Sequence, residues 1–139
     1  MMKFRHGTAK HIFTMWLALV MSPALAGTAP AVQVEINAML DNLARSGCEF
    51  QRNGTWYSGE RASQHLARKL EYIEQRGGVI STEQFIDLAA TQSSMSGKPY
   101  RVHCAGSLPI PSKTWLLDSL NRQRGSQSSP TGVRNQPAG

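Results

Sequence analysis

The sequence predicts an α+β fold: about four helices around a small antiparallel sheet made of a hairpin plus one later strand, with one disulfide. Three observations predict it. Apolar residues recur at helical spacing in four segments, an Asn-Gly pair separates two extended-type stretches, and two cysteines, Cys48 and Cys104, fall in strand-like surroundings.

The first helix is expected from Ala31 to Ser46, where Ile36, Met39, Leu40 and Leu43 follow the i, i+3, i+4, i+7 pattern of one buried stripe. Gly47 ends it as a left-handed cap. In "CEFQRNGTWYS", Asn53-Gly54 satisfies a two-residue turn whose central positions both need positive φ. That register sets Arg52 against Thr55, Gln51 against Trp56 and Phe50 against Tyr57, with Cys48, Phe50 and Tyr57 on one face. Ser58 caps a second helix, Gly59 to Gln75, with Ala62, Leu66, Leu70 and Ile73 as its stripe. A capping box, Ser81 with Gln84, opens a third helix with apolar positions Phe85, Ile86, Leu88 and Ala89. Ser93 to Pro99 then reads as a loop and Tyr100 to Cys104 as a strand, with Tyr100, Val102 and Cys104 on one face and Arg101 and His103 on the other. A last helix starts at Ser112 and runs through Trp115, Leu116 and Leu120.

The two ends are set apart from this domain. Lys3, Arg5 and Lys10, the apolar run Ile12 to Met21 and Ala24-Leu25-Ala26 form the pattern of a cleavable signal peptide over residues 1–26, with cleavage near Ala26/Gly27 and export to the periplasm. The apolar run is short of the roughly 20 residues a membrane span needs, so no stable span is expected in the mature chain. Residues 122–139 are rich in Ser, Gly, Gln and Pro and read as a disordered basic tail, leaving 27–121 as a single small domain. Of the fifteen Lys and Arg residues, three lie in the leader and three in the tail; the nine that remain meet nine Asp and Glu. A nucleic-acid binder carries its basic patch on the folded part, so that class is excluded.

In an exported chain, an even cysteine pair reads as a structural disulfide, and each cysteine lies on the face that holds its strand's large apolar groups. No C-x-x-C motif occurs, and His103 points away from Cys104 on a strand. No metal-site spacing is present, and no cofactor is expected.

The stretches "EINAMLDNLARSGCEFQRNG", "ASQHLARKL", "STEQFIDLAATQSSMSGKPYRV" and "WLLDSL" resemble the YfeK-like family of small exported proteins of Gram-negative bacteria, grouped as a domain of unknown function. The resemblance spans most of Val34 to Leu120 and implies a periplasmic location but no activity.

The function expected is that of a periplasmic binding or interaction module, with an unknown periplasmic protein or envelope component as partner. Its first candidate site is the loop: Ser93, Ser94 and Ser96 offer hydroxyls, Gly97 allows close backbone approach and Lys98 adds charge, a set suited to a carboxylate, phosphate or sugar. "SGKPY", Ser96 to Tyr100, also matches the S-G-x-x-Y pattern of bacterial lysozyme inhibitors, where it resembles a plug for a cleft with two carboxylates. The second candidate is the sheet face with Trp56, Arg101 and His103, an aromatic beside cations. A small hydrolase pairing a loop serine with His65 or His103 is a further alternative, but G-x-S-x-G and S-x-x-K are absent. Arg61, His65, Arg68 and Tyr72 share one helix face, expected to be solvated and neutralised by Glu60, Glu71 and Glu74.

Overall fold

The computed structural model describes residues 27–128. The expected leader, 1–26, and the end of the expected tail, 129–139, lie outside the described residues. The described chain is α+β and runs through α1 (Pro30–Arg45), β1 (Glu49–Arg52), β2 (Thr55–Ser58) and α2 (Gly59–Glu74). It continues through α3 (Thr82–Phe85), which passes into a π-helical turn (Ile86–Ala90), then β3 (Arg101–His103), β4 (Ile110–Pro111) and α4 (Ser112–Ser128). The strands form one antiparallel sheet in the order β2-β1-β3-β4. Helices α2 and α4 pack on the sheet, and α1 packs on α2, α3 and α4.

The hairpin has the register its turn dictates: Phe50 faces Tyr57, Gln51 faces Trp56 and Arg52 faces Thr55. Asn53 and Gly54 hold φ of 50° and 86°, the left-handed conformation that a tight turn of this hand demands. On the other side of β1, Glu49 pairs with His103 and Phe50 with Val102. The next residue outward on each chain is a cysteine, and Cys48 and Cys104 are joined by a disulfide. Phe50 and Val102 face the helices and meet Ile36, Met39, Leu43, Leu66, Phe85, Leu116 and Leu120 in one buried cluster. Trp115 seals its edge, its ring 5.3 Å from that of Phe50 in an edge-to-face contact.

Three elements differ from expectation. The sheet has a fourth strand, β4, in which Ile110 pairs with Val102 and Pro111 with Arg101. Two residues carry too little pattern to be read as a strand, and proline is tolerated there because the strand is an edge. The third helix leaves α geometry at Ile86. Asp87 and Leu88 fall together on the outer side of this segment, so Leu88, expected in the core, is exposed while Phe85, Ile86, Ala89 and Ala90 take the buried side. Thr91 follows the same spacing, its hydroxyl donating to the Ile86 carbonyl at 3.0 Å.

The third difference is the tail. Helix α4 continues through Ser128, so 122–128 is helical rather than disordered. Composition shows only that this segment lacks aliphatic residues; it is held by polar contacts instead. Gln123 is buried, and its amide donates to the Glu35 carbonyl at 3.3 Å. The Arg124 guanidinium grips both Glu35 oxygens at 2.9 and 2.8 Å and Glu83 at 2.5 Å. Thr82 adds a hydroxyl to Glu35 at 2.5 Å, so α1, α3 and α4 share one polar knot.

Arg124→Gln is expected to lower the unfolding free energy by about 1 kcal/mol, because the pairs are part-exposed and screened. The Arg124 hydrogen bond is the main reason that the Glu35 and Glu83 carboxyls lie below their ordinary value. A carboxyl depressed in the fold contributes stability that is complete above its unfolded pKa and is lost as pH falls through the folded one. The parent should therefore lose stability below about pH 4.5 more steeply than the variant. Urea titrations at pH 7 and pH 3 check this; parallel pH profiles would show that Arg124 is not coupled to the carboxyls.

Candidate functional site

The inner face of the hairpin ends in a charge. Alternation along β1 points Phe50 at the helices and then Arg52 in the same direction, beside Tyr57 of β2. Helix α2 crosses this corner. Its stripe residues Ala62 and Leu66 cover the sheet, while Arg61, His65 and Arg68 border the gap that remains. Tyr100, on the inner face just before β3, and Ala90, from the π-helical turn, complete the walls. The result is a cleft of about 100 Å³ with aromatic and aliphatic walls and cationic groups around them.

The charged groups are held from below. One Arg52 nitrogen, Nη1, lies 2.9 Å from Nδ1 and 3.2 Å from Nε2 of His65. Its guanidinium also stacks 5.3 Å from the Tyr57 ring centre, and that of Arg61 lies 5.6 Å from it. Lys69 donates to the Ala89 carbonyl at 2.7 Å and to the Tyr100 hydroxyl at 3.4 Å. Burial, then the charges of Arg52, Lys69 and Arg68, push the His65 pKa down to about 4, so at neutral pH the ring is uncharged and accepts from Arg52. Burial and then Arg52 also lower Lys69, and burial raises the Tyr100 hydroxyl.

No carboxylate among the described residues lines this cleft. Among the described residues, none of the ion pairs involves Arg52, Arg61, Arg68 or Lys69. Arg61, Arg68 and Tyr72 are exposed, as expected of a solvated face, but among the described residues none of Glu60, Glu71 and Glu74 forms a direct ion pair with Arg61 or Arg68, and Glu74 accepts from Thr28 instead.

The loop candidate is largely committed to its own fold. Ser93 is buried, its N–H donates to the Lys98 carbonyl at 3.0 Å, and its hydroxyl oxygen accepts from the Ser96 N–H at 3.3 Å. Gly97, at φ 68°, closes the turn by donating to the Ser93 carbonyl at 2.9 Å. The Ser96 hydroxyl donates to the Asn53 side chain at 2.6 Å, tying the loop to the hairpin tip. Ser94 and Lys98 are exposed, as is Met95. Tyr100 is buried and faces the cleft. Among the described residues no serine hydroxyl hydrogen-bonds a histidine, and no group of three or more His, Cys, Asp or Glu is placed to hold a metal ion.

The opposite sheet face brings Trp56 and His103 together, their rings edge-to-face at 4.5 Å. His103 Nε2 lies 3.0 Å from a Glu49 oxygen, and Arg101 donates to the Pro109 carbonyl at 3.1 Å. The histidine and arginine are thus engaged locally, and Trp56 is half-buried rather than a free platform. Sequence reasoning placed the loop and this face but missed the cleft. The available signal was Arg52, a charge at an inner-face position opposite a basic helix face.

Residues 30–124 match the family described as "Family of unknown function (DUF5329)". The chain is 40% identical over 93 residues to "Uncharacterized protein YfeK" of Salmonella typhimurium, an alignment covering 66% of this chain and 76% of that protein. No solved structure matches. Among the described residues, no helix is long and apolar enough to cross a membrane. The matched segment runs from the first residue of α1 to the Arg124 anchor in α4, and the chain belongs to the DUF5329 family, of YfeK-like proteins of unknown function.

Proposed function

We propose that this protein is an exported, periplasmic binding module whose ligand enters the cleft between the β1–β2 hairpin and α2, with Tyr100, at the end of the Ser93–Tyr100 loop, in its wall. The single observation that carries the reading is the combination of an open, apolar-walled cleft with convergent cations that, among the described residues, have no carboxylate partner. Stability alone does not call for Arg52 at the end of a buried strand face. The leader pattern and the disulfide support export, because a disulfide persists in an oxidising compartment. The lysozyme-plug and hydrolase readings have weaker support, since the Ser93 hydroxyl accepts within the loop and the Ser96 hydroxyl donates to Asn53 of the hairpin.

Two measurements test this. Protein recovered from the periplasmic fraction should begin at or near Gly27; recovery only from the cytosol with Met1 retained would refute export. Protein equilibrated with periplasmic extract, washed and denatured should release a small molecule detectable by mass spectrometry. Arg61→Ala/Arg68→Ala should retain less of it; equal retention by both proteins would remove the cleft as the site.

A further inference from the structure

The cleft's charge pattern narrows the chemistry of what it takes, an inference that rests on the cleft being the binding site. Its walls supply two kinds of contact. Phe50, Leu66 and Tyr57 give an apolar floor and side. Arg52, Arg61 and Arg68 give guanidinium donors, with Lys69 behind them on the Tyr100 side. A guanidinium at such a place normally has a carboxylate partner, and none of these has one among the described residues. Arg52 is the clearest case. Its Nη1 is bonded to a histidine that holds no charge at neutral pH, so its positive charge is uncompensated in the part-buried corner. The Tyr57 ring offers a face to Arg52 and Arg61, which orients both guanidinia toward one corner without cancelling their charge.

We propose that the cleft binds a small organic anion, an apolar body no larger than a single ring or short chain carrying a carboxylate or phosphate at one end. The volume of about 100 Å³ sets the size of the buried body, and the cleft's open side leaves room for a longer molecule to continue into solvent. The anionic end meets Arg52 and Arg61, whose planar forks suit the paired oxygens of either group. A cationic ligand is disfavoured by the same four charges.

Three ring probes of matched size test this against the purified, disulfide-bonded protein: benzoate, phenyl phosphate and benzamide. Titrations are followed by the amide resonances of Arg52, Arg61 and Tyr100. At least one anion is expected to shift those resonances and to bind tenfold or more tightly than benzamide, with affinity falling as sodium chloride rises. Arg61→Gln/Arg68→Gln should weaken the anion at least tenfold, whereas Arg45→Gln/Arg76→Gln, an equal change of charge at two exposed arginines outside the cleft, should not. Preference for benzoate over phenyl phosphate, or the reverse, assigns the anionic group. Equal binding of benzamide and the anions at the cleft overturns the anionic assignment and leaves the cleft as a binding site. Shifts absent from the cleft with all three probes overturn both.

Discussion

Replacing Cys48 and Cys104 together with alanine is expected to lower the unfolding free energy by about 4 kcal/mol. The two residues are 56 apart in sequence, so the bond closes a long loop that contains the hairpin, α2, α3, the π-helical turn and all of β3. Such a crosslink acts chiefly on the unfolded chain, whose freedom it restricts, and the restriction grows with the logarithm of loop length. The folded state gives up little, because β1 and β3 are paired through Glu49–His103 and Phe50–Val102 and hold the two positions together without the bond. A loss of this size is a large share of the 5–15 kcal/mol typical of a small domain. Urea titration of the oxidised parent against the double-alanine variant measures it. A difference below about 1 kcal/mol would mean that the reduced chain keeps its ends close by residual structure.

Phe85→Ala is expected to cost about 3–5 kcal/mol. Phe85 is completely buried and is the largest such side chain among the described residues. It belongs to the cluster shared by α1, α2, α4 and the sheet, and it immediately precedes the π-helical turn. The turn fixes the backbone beneath it, so the neighbours cannot collapse into the vacated space as a free α-helix end could. Phe85→Leu keeps most of the volume and should cost under about 1.5 kcal/mol. The two variants should shift the urea midpoint by different amounts at an unchanged slope. Equal losses in both would point to a specific role of the ring and not to a cavity.

Much of the scaffold is legible in the residues. Asn53-Gly54 dictates the hairpin register to the residue, because a two-residue turn leaves no freedom. The cysteine pair is legible from alternation, which puts both on the inner face, and the pairing of Glu49 with His103 sets them side by side at the end of β1 and β3. The helix starts at Ser58 and Ser81 follow from their caps: Ser58 accepts from the Arg61 N–H and Ser81 from the Gln84 N–H. What was not legible depends on contacts between distant segments. The extension of α4 rests on Arg124 reaching Glu35 and Glu83, partners 89 and 41 residues away, which no local pattern announces. Leu88 looks apolar and therefore internal, but Phe85, Ile86, Ala89 and Ala90 take the buried side of the segment and leave it outside.

The candidate site was hidden for a related reason. Arg61, His65 and Arg68 look like an ordinary wet helix face when α2 is considered alone. Their meaning changes when Arg52 arrives from β1 and Tyr100 from the approach to β3, since among the described residues the combined corner is lined by several cations and no acid. The loop residues gave the opposite impression. Serines that suggest ligand contact in sequence turn out to be the hydrogen bonds that let so tight a loop exist.

The π-helical turn has a consequence for chain length. A turn closed by i→i+5 bonds contains one residue more than an α-helix needs to cover the same ground. The segment Ile86–Ala90 is therefore the place where the domain can gain or lose a single residue without moving α1, α2 or the sheet. A relative one residue shorter here would keep an unbroken α-helix but would withdraw the Ala89 carbonyl that anchors Lys69 and the Ala90 wall beside Tyr100. An alignment gap at 86–90 would thus mark a chain with the same frame and a differently shaped cleft.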